Sequence, residues 1–350
     1  MALESLPDLM CSPTGITAPY LRELLPQPVD TAALTAAGID AARLAGDSGY
    51  RVPLYQASRL LAGQSTAAGD PLLALRQARA LSLRAFPLLG LSVLASTTLE
   101  DGLRRLIELD TLIWDAVRLR LDIPADRQGD AVLVLTPQEP LPPAVVEVAL
   151  AGWVLLGPAL WQLRESGHRL YFRHAARAPA TDYEALLGCP VGFGADTYAL
   201  RFPAVWLERR LDLADAGSSD MVMQEARRQL ARMPLLNLEN RLRAACFRAL
   251  PGPLPEAAAL AGALGLQPRQ LRQYLGQQGI NLRVLHDDVR REAALFWLRA
   301  GHDDLASLAQ ACGFSEQSAF QRAFRRWTGR TPGIWQDEHR NDLSIDPFFA

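Results

Sequence analysis

The sequence predicts an α+β N-terminal domain followed by an all-α domain in which two helix-turn-helix motifs are joined by one linker helix. Three observations lead there. Val117, Leu119 and Leu121 alternate with Arg118, Arg120 and Asp122, the two-residue period of a half-buried strand, inside a region otherwise spaced like helices. An Ala-x-x-x-Gly step occurs twice, at Ala261 and Gly265 and again 48 residues later at Ala309 and Gly313. The charge divides as well: residues 1–217 hold 19 Arg against 24 acids, net −5, whereas residues 221–335 hold 16 against 9, net +7.

Composition narrows the function classes before any motif is read. The chain has 350 residues, 49% hydrophobic and 21% charged, which fits two or three globular domains and excludes disorder. Its net charge of −2 gives no general attraction for nucleic acid or anionic membrane, so any such attraction is local. All 36 cations are arginine, which removes lysine Schiff-base and P-loop chemistry. The longest apolar run, Val148 to Trp161, is 14 residues broken by Gly152, Gly157 and Pro158, short of the ~20 that span a bilayer, and is expected as a buried helix. The first 20 residues carry Glu4 and Asp8 and no basic leader, so a cytoplasmic protein without membrane contact is expected. Cys11, Cys189, Cys246 and Cys312 are too scattered for a disulfide framework or a zinc knuckle; reduced, mostly buried thiols are expected, with no metal and no cofactor.

The N-terminal elements follow in order. Helices are expected at 71–83, at 99–110 behind a Thr98-x-x-Asp101 cap, and at 143–164; strands at 117–121, 132–135, 170–173 and 198–202. Gly192-Phe-Gly194 lacks the third glycine of a dinucleotide loop and reads as a turn. His168 and His174 have no metal-ligand spacing and read as structural or surface residues; the neighbouring pairs Asp287-Asp288 and Asp303-Asp304 do not face one another on a helix, and Asp303 reads as an N-cap. No nucleophile and base come together, so no catalytic residues are assigned.

A polar stretch of small residues at 212–220 marks a domain boundary, and Pro251-Gly-Pro253 a second break. Residues 220–250 between them read as one or two helices, capped by Ser219 or Asp220 and interrupted at Pro234. The resulting organisation is a first domain at 1–217, a linker helix at 218–236, a helical domain at 237–336 and an acidic tail at 337–350.

In the helical domain, residues 256–264 form a helix that Gly265 breaks and 268–277 a second one opened by Pro268. The alanine permits two helices to cross closely, and the glycine supplies a residue free to take positive φ at the turn. Leu260, Leu264, Leu271 and Leu275 supply the core. The repeat occupies 305–327. Its Phe320 and Phe324 match Leu271 and Leu275 at an offset of 49 rather than 48, so the second turn is one residue longer. Between the motifs, Leu282, Leu285, Val289, Ala293, Phe296 and Ala300 make one amphipathic stripe that a single helix would bury against both.

The ordered series Ala309-x-x-x-Gly313-Phe314-Ser315, then Ser318-x-Phe320-x-Arg322-x-Phe324-Arg325-Arg326-Trp327-x-Gly329-x-Thr331-Pro332, resembles the signature of AraC/XylS-type transcription regulators, and Val289-Arg290-x-x-Ala293 fits that family's linker helix. The resemblance covers residues 237–336. A weaker one, carried by residues 97–103, by Phe172-x-His174 and by Cys189-Pro190-Val191-x-Phe193-Gly194, links the N-terminal region to the arabinose-binding-type domain of the ornithine-regulator-like branch.

The resemblance implies a sequence-specific regulator that binds double-stranded promoter DNA and sets two recognition helices in successive major grooves. It gives base-edge positions Arg269, Arg272, Gln273, Gln317, Ser318, Gln321 and Arg322, with Ala319 offering only an apolar contact. Phosphates fall to Arg283, Arg325, Arg326 and Arg330, and Ala261, Gly265, Ala309, Gly313, Phe314, Phe320 and Phe324 form the scaffold. It also implies an N-terminal domain that senses a small effector of unreadable identity and forms a homodimer, with RNA polymerase as a further partner. Residues 146–163, with Trp153 and Trp161, would be core, pocket wall or dimer seam. Two alternatives stand beside it. One is an enzyme of the repair-methyltransferase kind fused to the same module, which needs an activated cysteine that neither Cys11 nor Cys189 resembles; the other is an interaction protein that binds no DNA.

Overall fold

In a computed structural model, which describes residues 6–160, 167–211 and 216–339, the chain divides into two compact units. One runs from Gly15 to Leu236; the other joins the residues up to Thr14 with those from Asn237 onward.

In the first unit, β1 (Gly15–Thr17) and β2 (Arg51–Pro53) form an antiparallel pair. The main sheet comprises β3 (Val117–Asp122), β4 (Asp130–Pro137), β5 (Arg169–Tyr171), β6 (Val191–Gly192) and β7 (Tyr198–Pro203) in the order β3-β4-β7-β5-β6, antiparallel except for β5 with β6. Alternation decides which side each residue faces. The row Leu121, Leu133, Leu200 and Leu170 lies on the face that meets helix Pro143–Leu155, and the arginines between those positions lie on the other. Helix Pro143–Leu155 is apolar around its circumference except at Glu147, because it is covered by the sheet and by helices Leu54–Ala68 and Leu73–Ala78.

Two buried charges organise this unit. Glu147, fully buried on helix Pro143–Leu155, is held by the Arg177 guanidinium and accepts the Tyr183 hydroxyl at 2.6 Å. Arg51, 5% exposed, donates to the carbonyls of Gly15 at 3.1 Å and Leu112 at 3.2 Å and pairs with Asp115 at 3.5 Å. Burial pushes the Asp115 carboxyl up and the Arg51 guanidinium down, and each is opposed by the charge of the other.

Several expected boundaries move. Helix 71–83 shortens to Leu73–Ala78, with a separate 3-10 turn at Leu83–Ala85, because Leu81 turns into the core. Helix 143–164 stops at Leu155; Leu156 is a turn and Gly157–Leu160 a further short helix, while Trp161 and residues to 166 lie outside the described residues. The helix expected from Ser219 or Asp220 starts earlier, spans Ala216–Leu236 and passes through Pro234, which falls in its last turn, where one lost amide bond shortens rather than splits it. That helix packs within the first unit, on helix Pro87–Leu94. Gly192 ends β6 instead of lying in a turn, and Gly194 beyond it takes φ +68°. The Thr98 cap forms as expected: its hydroxyl accepts from the Asp101 amide at 3.2 Å and opens Leu99–Leu109.

The second unit is helical among its described residues: Leu238–Ala249, then Ala257–Ala263 with Pro268–Gln278, then Leu282–Arg299, then Leu305–Ala311 with Gln317–Thr328, and last Pro332–Glu338. Helix Leu282–Arg299 buries Leu285, Val289, Ala293 and Phe296 from the expected stripe and half-buries Leu282 and Ala300 at its ends. It also buries Glu292, which the apolar pattern does not contain. Glu292, 2% exposed, accepts from Arg243 of helix Leu238–Ala249 at 3.1 Å, so a buried ion pair joins the two helices. Asn237 donates to the carbonyl of Pro13 at 2.7 Å, which ties the N-terminal segment to this unit.

Arg243→Ala removes the ion-pair partner of the buried Glu292 carboxylate and is expected to cost about 3–5 kcal/mol. The double variant Arg243→Met/Glu292→Leu should recover most of it. Urea denaturation of both proteins checks the order, and a double variant less stable than Arg243→Ala refutes it.

Candidate nucleic-acid interface

Each motif is built from two short helices crossing at a small residue. In the first, Leu260, Ala261 and Leu271 are fully buried and Leu275 nearly so, which turns the rest of helix Pro268–Gln278 outward. Pro268 occupies its first turn, where a missing amide costs nothing, and the Gln270 side chain accepts from the Gln267 amide at 2.9 Å. Gly265 takes φ +69° at the turn, with open space around the position a Cβ would fill. Arg269, Arg272 and Gln273 all lie on the exposed face, and the Arg272 Nε reaches back to the Pro268 carbonyl at 3.4 Å.

The second motif repeats the plan with more apolar mass. Phe320 and Phe324 are fully buried one helical turn apart, and Phe314 packs edge-on against Phe320 at 5.7 Å between centroids. The Arg290 guanidinium of the linker helix lies over the Phe314 ring at 5.1 Å. Asp304, not Asp303, caps helix Leu305–Ala311: its carboxylate accepts from the Ala306 amide at 3.1 Å, a reach that starts the helix one residue later. The connections between helices are residues 264–267 in the first motif and 312–316 in the second, four against five, as the change of offset implied.

Helix Gln317–Thr328 exposes Gln317, Ser318, Arg322, Arg325 and Arg326, whereas Gln321 and Ala319 are half-buried. Ser318 donates to Glu316 at 3.2 Å at the start of this helix. The phosphate candidates are not equivalent. Arg326 is paired with Asp287 of the linker helix at 2.9 Å and Arg330 with Glu338 at 3.3 Å, whereas Arg283, Arg322 and Arg325 make no ion pair with a described residue. A paired arginine has to give up its carboxylate before it meets a phosphate. Pattern reading cannot see this difference, because it depends on which carboxylate lies across the fold.

The thiols give no activated nucleophile. Burial pushes all four up, Cys246 to about 11 and Cys189 to about 12, the opposite of what an acceptor cysteine needs. Among the described residues no three His, Cys, Asp or Glu side chains gather to hold a metal, and no helix is long and apolar enough to cross a membrane.

Residues 30–211, more than half of the chain, match the family described as the arabinose-binding domain of AraC transcription regulators, N-terminal, and residues 260–338 match a helix-turn-helix domain family. The chain is 28% identical to the ornithine utilization regulator of Pseudomonas aeruginosa over 278 residues, 77% of this chain and 79% of that protein. It is 31% identical to the HTH-type transcriptional regulator VirS of Mycobacterium tuberculosis over 161 residues, 46% of this chain and 47% of the relative. The crystal structure of transcriptional regulator CdpR from Pseudomonas aeruginosa aligns over 90% of this chain and 97% of its own, at 18% identity and a TM-score of 0.44.

The two turn glycines respond differently to a side chain. A Cβ at Gly313, φ +72°, would sit 3.0 Å from the Gly252 carbonyl oxygen and 3.2 Å from Leu250, whereas at Gly265 it meets nothing within 4 Å. Gly265→Ala is therefore expected to cost only backbone strain, about 1–2 kcal/mol, and Gly313→Ala that strain plus ~1–3 kcal/mol of overpacking. Denaturant midpoints of the two variants test this, and equal losses contradict the geometry.

Proposed function

This chain belongs to the AraC family of transcription regulators, and we propose that it reads a promoter by placing helices Pro268–Gln278 and Gln317–Thr328 in two successive major grooves. The observation that carries this reading is the shared linker helix. Its 18 residues, Leu282–Arg299, extend about 27 Å at 1.5 Å per residue, close to the ~34 Å between successive major grooves on one face of the duplex. Helices of both motifs share one compact unit with it, so one polypeptide presents two readers in fixed order and needs no symmetric site.

In this reading Arg269, Arg272 and Gln273 meet base edges in one groove, and Gln317, Ser318, Gln321 and Arg322 in the other. Arginine bridges guanine O6 and N7, and glutamine pairs with adenine, each bidentate contact discriminating by about 1–3 kcal/mol. Arg283 and Arg325 hold phosphates directly. Arg326 and Arg330 do so after exchanging Asp287 and Glu338, which makes them weaker contributors.

The N-terminal unit, in the same reading, senses a small effector and forms the homodimer of a cytoplasmic regulator, with RNA polymerase as a further partner of the bound protein. No catalytic role belongs to it. This reading offers the effector the small cavity walled by Tyr20, Phe86, Trp114 and Trp153 beside the buried Asp110, which as it stands has room for a single water molecule at most. A compound that enters it must part those rings, so binding should change tryptophan fluorescence and raise the melting temperature. A screen of amino acids, sugars, fatty acids and nucleotides that moves neither signal removes the sensing role.

Arg322→Ala is expected to lose about 10-fold or more on cognate DNA with little change on random duplex, since a base contact discriminates by ~1–3 kcal/mol. Arg325→Ala should weaken both and lower the slope of log K against log salt by about 0.9. Salt-titrated gel shifts distinguish them. Equal losses on both DNAs for Arg322→Ala rule out its base contact.

A further inference from the structure

The outward face of the main sheet carries a charge pattern that the sensing role leaves unexplained. Register sets its rows. Asp122, Val132, Arg201 and Arg169 lie across β3, β4, β7 and β5; the next row is Arg120, Val134, Ala199 and Tyr171, ending on Gly192 of β6. Arg118 belongs to the same face, at a position of the same parity on β3, and Arg173 follows two residues past the end of β5. Four arginines therefore share one exposed surface of a region whose residues 1–217 sum to −5.

Their partners divide them. Arg120 is neutralised by Asp122 at 3.0 Å, and Arg118 donates to backbone carbonyls of its own segment. Asp130 stands at the end of β4, opposite Pro203. Arg169, Arg173 and Arg201 have no carboxylate partner among the described residues, although Arg169 and Arg201 are direct cross-strand neighbours. Like charges in that position destabilise a sheet. One of them is also held in place: the Arg201 guanidinium lies over the Tyr171 ring at 4.9 Å, and that ring lies so close on Gly192 that a Cβ there would come within 2.9 Å of it. The Arg173 guanidinium lies 6.0 Å from the Tyr198 ring. Aromatic rings hold arginine without cancelling its charge, which leaves Arg201 a pre-ordered cation directly beside Arg169.

We propose that this sheet face is a second docking surface for the phosphate backbone of duplex DNA, engaged when the helical unit is bound. Its four arginines are exposed around the buried Val134 and Ala199, so it presents cations rather than a cavity, as a duplex backbone requires and a small effector does not. It offers arginine, which meets phosphate in a planar fork, and it has no row of acceptors for reading bases. The proposal rests on the DNA-binding reading above and adds to it a sequence-independent contribution from the N-terminal unit.

The test is the salt dependence of binding by the full chain to a long cognate duplex. Arg169→Ala/Arg201→Ala should lower the slope of log K against log salt by up to about 1.8, at ~0.9 for each phosphate lost. It should do so equally on cognate and random DNA and keep the wild-type ratio between them. The melting temperature should not fall, because the substitution relieves a repulsion. Should the pair disturb folding, Arg169→Gln alone should lower the slope by about 0.9. Unchanged slopes in both variants overturn the proposal. Unchanged gel shifts with impaired transcription in a reconstituted assay also overturn it and assign the face to an acidic protein surface instead. Failure of the wild-type chain to bind any duplex would instead refute the underlying DNA-binding reading, an outcome separate from these.

Discussion

The helical unit depends on one constraint: helix Leu282–Arg299 has to satisfy neighbours on several sides at once. It packs against helix Leu238–Ala249 through the Arg243–Glu292 pair, and against helices Leu305–Ala311 and Pro332–Glu338 on other sides. Its C-terminal end is fastened as well, since the Gln336 side chain donates to the carbonyls of Leu298 at 3.3 Å and His302 at 3.2 Å. A helix held this way has no freedom to rotate about its axis, because any rotation would expose part of its apolar stripe and separate a buried charge from its partner. Rigidity of the linker is thus a packing property, set by the helices on either side of it.

Arginine is the only side-chain cation apart from histidine available to this chain, and the fold uses it in three environments. Arg51, Arg177 and Arg243 are interior or nearly so, each forked onto a carboxylate and, for Arg51, onto carbonyls too. Arg201 and Arg290 lie over aromatic rings. Arg269, Arg283, Arg322 and Arg325 extend into solvent. A planar, weakly hydrated guanidinium tolerates all three settings, whereas an ammonium in the first would tend to lose its proton.

Apolar periodicity made most of the helical unit legible. Phe320 and Phe324 at one-turn spacing, the two Ala-x-x-x-Gly steps and the shift of offset from 48 to 49 contained the burial, the crossing and the longer second turn. Periodicity is silent about polar groups placed by tertiary contact. Hence Glu292 went unseen on the buried side, Arg326 and Arg330 looked like free cations although each has a carboxylate, and Asp303 was preferred to its neighbour Asp304, a choice that turns on which carboxylate reaches the Ala306 amide. In the N-terminal unit, β3 and β4 were readable because only one face of the sheet is covered. Helix 143–164 was overextended because apolar content continues through Leu156, while the break at Gly157-Pro158 is a matter of backbone rather than hydropathy.

The turn of the second motif is braced from outside itself. Gly313 lies against the backbone of Pro251 and Gly252, the segment that leaves helix Leu238–Ala249, with no space for even a methyl group between them. The turn at Gly265 has no such neighbour. A displacement of that segment therefore acts on the second motif at its turn, whereas helix Leu238–Ala249 meets the first motif along helix Ala257–Ala263. One helix thus holds the two repeats at unlike points, the later one by a backbone it cannot move past and the earlier one by a side-chain packing that can adjust.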